Sequence, residues 1–266
     1  MPTGDERDKE NTMKNACLIV IPCYNEELRF PLDRFRAFAA ANPDIGFLLV
    51  NDGSKDNTLA ILRQASAGRE QQISVINQPT NGGKGEAVRS GVLAALQRPE
   101  CQYVGFWDAD LATPLGQIID LGDVLATRPE IDMVFGARVK LLGRHVDRRA
   151  TRHYLGRIFA TVVSTVLRLP IYDTQCGAKI FRVTQDTNAL FAEPFSSRWV
   201  FDVEIIARFI RKRGYDMQSV EAAIYEFPLP EWRDIAGSQV RPRDFFRAFF
   251  DVVRIHRRYL WRSTST

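Results

Sequence analysis

The sequence predicts an α/β protein with a doubly wound, mostly parallel sheet and a C-terminal helical extension. Short continuous apolar runs alternate with segments of helical periodicity through the first half of the chain. That is the pattern of strands buried on both faces between covering helices. Polar clusters follow three of the runs: Tyr24-Asn25-Glu26-Glu27, Asn51-Asp52-Gly53-Ser54 and Asp108-Ala109-Asp110. Ligands in open α/β sheets gather at the carboxyl ends of strands, so three clusters there mark one edge as a site.

The first strand is expected at Ala16-Cys17-Leu18-Ile19-Val20-Ile21, stopped by Pro22. A helix follows over about 31–41, then a strand at Phe47-Leu48-Leu49-Val50. Asp56 reads as the N-cap of a second helix carrying Leu59, Leu62 and Ala65 at helical spacing. A third strand is expected at Ile73-Ser74-Val75-Ile76, a helix over about 84–97, and a fourth strand at Tyr103-Val104-Gly105-Phe106-Trp107 running into Asp108. A helix over about 115–127 and a strand at Met133-Val134-Phe135 complete the alternation. Beyond about residue 137 only helix-like segments separated by loops are expected, over about 151–168, 202–213 and 242–260. Residues 1–14 read as a disordered leader, 15–232 as a catalytic domain, and 233–266 as a basic amphipathic helix.

A chain of 266 residues is long enough to bury a substantial core. With 45% hydrophobic and 26% charged residues it is not a disordered composition. A net charge of +4 makes no case for a nucleic-acid partner. The arginines are nonetheless clustered, at Arg144, Arg148, Arg149 and Arg152 and again from Arg241 to Arg262. The four cysteines form no C-x-x-C pair and no zinc-like set with histidine, which fits a reducing cytosol; Cys176 reads as a packing residue. The first ten residues are charged and lack the apolar segment of a signal peptide. No apolar run reaches the roughly 18–20 residues of a membrane span, so the chain is expected to be cytoplasmic, and peripheral if it meets a membrane.

Asp108 and Asp110, one residue apart at a strand end, can both reach a hard cation such as Mg²⁺ or Mn²⁺. In glycosyl transfer such a cation offsets charge developing on a diphosphate leaving group. A D-x-D pair also marks haloacid-dehalogenase-type phosphatases. Their motif follows the first strand and carries Thr or Val where this chain has Ala112. Asp52 can accept hydrogen bonds from a base or ribose, or close an Asx turn with Gly53. Asn81-Gly82-Gly83-Lys84-Gly85 opens a helix with free amides facing an anion and Lys84 as a point charge, but is neither a P-loop nor a dinucleotide fingerprint.

Together, Pro22-Cys23-Tyr24-Asn25-Glu26-Glu27, Asn51-Asp52-Gly53-Ser54-Lys55-Asp56-Asn57-Thr58, Asn81-Gly82-Gly83-Lys84-Gly85 and Asp108-Ala109-Asp110, in this order and spacing, resemble the inverting family 2 glycosyltransferases with the A-type nucleotide-sugar fold. Asp173-Thr174-Gln175-Cys176-Gly177-Ala178-Lys179-Ile180-Phe181 and Arg198-Trp199-Val200-Phe201-Asp202-Val203-Glu204 narrow the resemblance to the polyprenyl-phosphate (dolichyl-phosphate) glucosyl- and mannosyltransferases.

The resemblance implies that Pro22, Tyr24, Glu26, Asp52, Gly83, Lys84, Asp108 and Ala109 bind a nucleotide-sugar donor, and that Asp108 and Asp110 hold Mg²⁺ or Mn²⁺. It implies that Arg138, with Arg148, Arg149 and Arg152, meets the acceptor phosphate, that Gln175 lies near the reacting sugar, and that Asp202 and Glu204 form an acceptor-side acidic pair. Ala112 followed by Thr113 is closer to the glucosyl members and points to UDP-glucose; mannose from GDP-mannose is the alternative. A polyprenyl monophosphate is already anionic near neutral pH and attacks without a base, whereas a saccharide hydroxyl would make Asp202 the base. Outside the enzymes, the alternative is a silent nucleotide-sugar-binding protein.

The C-terminal helix places Phe245, Phe246, Phe249, Phe250, Val253 and Leu260 on a broad apolar face, with Arg243, Arg247, Arg254 and Arg258 largely outside it. Such a helix either lies peripherally in a membrane interface or packs on the domain.

Overall fold

Strand β1 (Cys17–Cys23) lies between β2 (Ile45–Asp52) and β4 (Tyr103–Trp107), parallel to both, with Val20 opposite Leu48 on one side and Phe106 on the other. The computed structural model describes residues 16–140, 142–143, 145–147, 150–233 and 242–261. The expected 1–14 leader lies outside the described residues. With β3 (Ile73–Gln78), β5 (Met133–Ala137), β7 (Ala178–Arg182) and β8 (Ile224–Pro228), the three strands form a sheet in the order β3-β2-β1-β4-β7-β5-β8. Two short strands, β6 (His145–Asp147) and β9 (Glu231–Arg233), pair separately.

The unbroken apolar run of β1 is explained by burial on both faces. Leu18 and Val20 join one core with Leu48, Val50, Phe106, Phe135 and Phe181. Ile19 and Ile21 join the other with Phe47, Leu49, Trp107, Val134 and Ile180. Helices α1 (Leu32–Ala41), α2 (Thr58–Ser66) and α4 (Gln117–Thr127) supply residues to the second core. Helices α3 (Lys84–Ala95), α5 (Ala150–Leu167), α6 (Gln185–Ala192), α7 (Phe201–Lys212) and α9 (Pro242–Ile255) supply the first, with the short α8 (Met217–Ala222).

Four local expectations are corrected. Pro22 does not end β1; it pairs with Val50, beyond Val20, the last residue that pairs with β4. Only β2 flanks the strand there, so a residue without an N–H is tolerated. Asp56 is not the cap of α2, whose preceding residue is Asn57; its carboxylate accepts from Thr58 N at 3.0 Å and Glu27 N at 3.2 Å. The region after residue 137 is not only helix and loop. Strand β7 inserts antiparallel between β4 and β5, and β8 extends the sheet beside β5. Lys179 breaks the apolar run that would have announced β7, yet it is fully buried. Finally, the apolar face expected of the last helix is split. Phe249 packs edge-on against Phe159, and Val252, Ile255 and Tyr259 are buried in the core, while Phe250 and Val253 face outward. Helix α9 continues into a π-helical turn, His256–Leu260, packed on α7.

Candidate active site

The polar clusters meet at the carboxyl ends of β1, β2 and β4, where the loops after β1 and β2 are laced together. Asn25, in the left-handed region at φ 53°, donates its backbone N–H to Ser54 Oγ at 3.0 Å and accepts at Oδ1 from Lys55 N. Glu26 N donates to Thr58 Oγ1 at 2.7 Å. Glu27 accepts from Asn57 N and Nδ2 at 3.1 and 2.6 Å. Much of this motif therefore serves to hold two loops in register. Pro22 and Tyr24 are half-buried on the same rim. Glu26 Oε1 accepts from Arg29 at 2.9 Å, but its buried Oε2 has no hydrogen-bond partner among the described residues, leaving an acceptor for a ligand N–H or O–H. Burial, opposed by Arg29, raises the Glu26 carboxyl above its ordinary range.

The glycine turn behaves differently from the expectation that its amides face a ligand anion. Their anion is Asp52: Gly82 N and Gly83 N donate to its two carboxylate oxygens at 2.7 and 2.9 Å. Asp52 thus fixes the turn that launches α3. Gly83 has φ +90°, a conformation that only glycine adopts readily.

Lys84, the first residue of α3, reaches across to Asp108, with Nζ 2.5 Å from Oδ1. Burial pulls its ammonium down, but Asp108, Asp202 and Asp110 together hold it above its usual range. Asp108 needs room that Gly177 provides. A Cβ on Gly177 would lie 1.9 Å from Asp108 Oδ2, and Asp108 N donates to Gly177 O at 3.0 Å. Asp110 accepts from Ala112 N at 3.0 Å. Ala109 between them is buried, and Leu111 just after takes φ 54°, strain of the kind that accumulates at functional loops.

The carboxylate pair fits a hard divalent cation. Burial and then the charge of Asp108 raise the Asp110 carboxyl, as expected where two carboxylates crowd together and the ammonium of Lys84 pairs with Asp108. No group of three or more His, Cys, Asp or Glu residues gathers to hold a metal among the described residues. Diphosphate oxygens and water would complete the shell, the usual arrangement for Mg²⁺.

Asp202 and Glu204, expected as one pair, are separated. Two positions on a helix are about 200° apart, and α7 turns them different ways. Asp202 is buried against Lys179, whose Nζ lies 2.5 Å from Oδ1 and also donates to Cys176 O. Burial, opposed by Lys179 and Lys84, raises the Asp202 carboxyl. Glu204 points into the core, where it accepts from Ser196 N, Ser196 Oγ, Arg208 Nη2 and Tyr259 Oη at 2.7–3.2 Å. These bonds tie the turn after α9 to the domain, and none of their donors is the lysine that holds Asp202. Arg138, expected at the acceptor phosphate, is gripped by Asp173 through Nε at 2.6 Å and Nη2 at 2.8 Å. Arg148 and Arg149 lie outside the described residues, and Arg152 is described only as backbone of α5. Gln175 is part-buried beside Asp173, and its Nε2 has no acceptor among the described residues. Burial pushes the Cys176 thiol up to about 11, in keeping with a packing role.

The model of the glycosyl transferase family 2 matches residues 18–186. A dolichyl-phosphate beta-glucosyltransferase of Trichomonas vaginalis is 32% identical, over 89% of this chain and 69% of its own. This chain belongs to glycosyl transferase family 2. The enzyme of the same name from Dictyostelium discoideum is 30% identical across 97% of the chain and 80% of its own, and that of Saccharomyces cerevisiae 30% across 91% and 74%. Among solved structures, a glucosyl-3-phosphoglycerate synthase of Mycobacterium tuberculosis in complex with Mn²⁺ and UDP-glucose superposes with a TM-score of 0.65 at 17% identity, covering 99% of this chain and 86% of that one. At that identity the likeness shows a shared A-type fold.

Within this family 2 transferase, several site residues carried no sequence signal of their own. Lys179, which neutralises Asp202, stands in a motif where only Gln175 drew a role. Glu226 on β8 accepts from Tyr172 N and Asp173 N at 2.7 and 2.8 Å, and so sets the carboxylate that grips Arg138. Nothing short of the strand pairing of β8 with β5 could have brought Glu226 to residue 173.

Proposed function

We propose that this transferase moves glucose from UDP-glucose to a polyprenyl (dolichyl) phosphate with inversion, using Mg²⁺ or Mn²⁺ held by Asp108 and Asp110, at the cytoplasmic face of a membrane. The observation that carries the acceptor class is the engagement of Asp202. The carboxylate that a hydroxyl acceptor would need as base is buried and held by the Lys179 ammonium at 2.5 Å. A phosphate monoester needs no base, because it is already anionic at neutral pH. The relatives at about 30% identity over most of the chain bear the name dolichyl-phosphate beta-glucosyltransferase, and the fold neighbour binds UDP-glucose with Mn²⁺.

On this reading Glu26 Oε2 receives a donor N–H or O–H, Asp52 keeps the glycine turn in place, and Lys84 orients Asp108. The bound cation would stabilise the charge that develops on the diphosphate. An acceptor phosphate oxygen forms the bond to C1 as the C1–O bond to the diphosphate breaks. The electron pair leaves with UDP and the configuration at C1 inverts. The membrane contact rests on the outward face of α9. No described helix is long and apolar enough to cross a bilayer.

The test is transfer of radiolabel from UDP-glucose to dolichyl phosphate with Mn²⁺ present. Label entering the lipid phase is expected. Failure to label the lipid with any common nucleotide sugar would reject the lipid acceptor.

A further inference from the structure

We infer that Arg198 is a phosphate-binding residue of this site, its guanidinium taking a phosphoryl oxygen from the donor diphosphate or the acceptor monophosphate. The inference rests on the transferase reading above. A diphosphate and a monophosphate both call for cations, yet the cations already described around the site are engaged. Lys84 is paired with Asp108, Arg138 with Asp173, Lys179 with Asp202 and Arg29 with Glu26. Two amides of the glycine turn, Gly82 N and Gly83 N, are taken by Asp52. Arg198 is exposed and has no carboxylate at ion-pair distance among the described residues.

Its position is at the site. The stem of Arg198 lies across the glycine turn, so that a Cβ on Gly83 would come within 3.1 Å of Arg198 Cγ and Cδ. A bare Cα at Gly83 lets the guanidinium be carried over the start of α3, one residue from Lys84. The charge of Arg198 also helps to draw down the Asp52 carboxyl, which burial raises.

The loop that carries Arg198 is anchored on both sides. Ser197 Oγ donates to Asp251 Oδ2 at 2.7 Å and accepts from Trp199 N and Val200 N. Ser196 is held by Glu204 and by Arg258 Nη1 at 2.9 Å. A long cation with no ion-pair partner among the described residues, mounted on a pinned loop at the glycine turn, is set up to meet an anion that arrives with the substrate. Guanidinium suits phosphate because its fork of N–H groups can meet two oxygens.

Direct binding by titration calorimetry tests this without turnover. The probes are UDP with Mn²⁺ and a short-chain polyprenyl monophosphate, on wild type, Arg198→Met and Arg198→Lys. Met keeps the stem that packs on Gly83 and removes the charge; Lys restores a charge without the fork. Arg198→Met is expected to weaken one probe about tenfold or more, with Lys intermediate and the salt dependence of that probe flattened. Weakened UDP assigns the donor diphosphate, and weakened lipid phosphate assigns the acceptor. If wild type binds both probes and Arg198→Met binds each within twofold of it, the inference is overturned and the transferase reading stands. A wild type that binds neither overturns both.

Discussion

Lys179 Nζ lies 2.5 Å from Asp202 Oδ1, and both side chains are almost wholly removed from solvent. The ammonium also sits over the rings of Phe106 and Phe135, at 5.2 and 5.4 Å from their centroids. It therefore joins the face of β7 that it shares with Phe181 to the start of α7. Removing one member of a buried ion pair leaves the other charge uncompensated, which costs about 3–5 kcal/mol. Lys179→Met is expected to lower unfolding stability on that scale in a denaturant titration. Lys179→Met with Asp202→Asn should recover more than half of the loss. A single-variant loss below about 1 kcal/mol would mean that Asp202 does not depend on Lys179.

Gly177 is predicted to be a catalytic requirement with a steric cause. An added methyl would sit 1.9 Å from Asp108 Oδ2, and β7 cannot retreat because it is paired on both sides. Asp108 must swing away in Gly177→Ala, losing its geometry with Asp110 and Lys84. Activity is expected to fall by at least about two orders of magnitude, the scale of losing a contact to developing charge, and the Mn²⁺ concentration for half-maximal activity should rise. Unchanged metal dependence would show that Asp108 need not stand where it does.

Asp110 gives the sharper test of the cation. Asp110→Asn keeps the acceptor that receives Ala112 N and removes one charge from the pair. Loss of about two to three orders of magnitude in kcat is expected, together with loss of stabilisation by UDP and Mn²⁺ in a thermal melt. Normal turnover in this variant would end the assignment of Asp108 and Asp110 to a metal.

The contrast between β1 and β7 explains how much of this was legible in the chain. β1 is buried on both faces by apolar side chains, so it declares itself as a run from Leu18 to Ile21. β7 is buried as deeply, but one of its inward residues is Lys179, whose ion-pair partner is a residue 23 positions away. Motifs give positions along the chain, not directions in space. Asp108-Ala109-Asp110 was legible because both carboxylates share one strand end. Asp202 and Glu204 look like a pair in sequence, and only the helical turn separates them. The glycine turn and Asp52 were each marked as donor contacts. Their bond to one another depends on the β2–β3 pairing that brings Asp52 beside Gln78 and so near Gly82.

Glu204 tests that separation. If it is a hub and not part of the reaction, Glu204→Gln should weaken its bonds to Arg208 and Tyr259 and lower stability by about 1.5–3 kcal/mol, as expected for bonds to a charged group. Turnover per folded molecule should stay within about threefold of wild type. A fall of a hundredfold in kcat with the melting curve unmoved would return Glu204 to the reaction.

The outward face of α9 carries the membrane prediction. Phe250, Val253 and Trp261 are 74%, 52% and 66% exposed, and Arg254 and Arg257 stand exposed among them at helical spacing. The opposite face is committed to the core through Val252, Ile255 and Tyr259, so the helix can lie on a surface without leaving the domain. Aromatic rings among arginines match the headgroup region of an anionic bilayer, where each cation near the surface contributes about 1 kcal/mol. Full burial of a large apolar side chain is worth about 1.5–3 kcal/mol. Half of that for each ring means that Phe250→Ser with Trp261→Ser should lower partitioning at least about tenfold. Because both side chains are already in water, the melting temperature should hold. The measurement is co-sedimentation with phosphatidylserine-containing vesicles at two salt concentrations. Wild type should bind and be released as salt rises, and the double variant should remain largely in the supernatant. Equal partitioning of the two proteins would sink the assignment of this face, because the rings would then contribute nothing that the arginines do not.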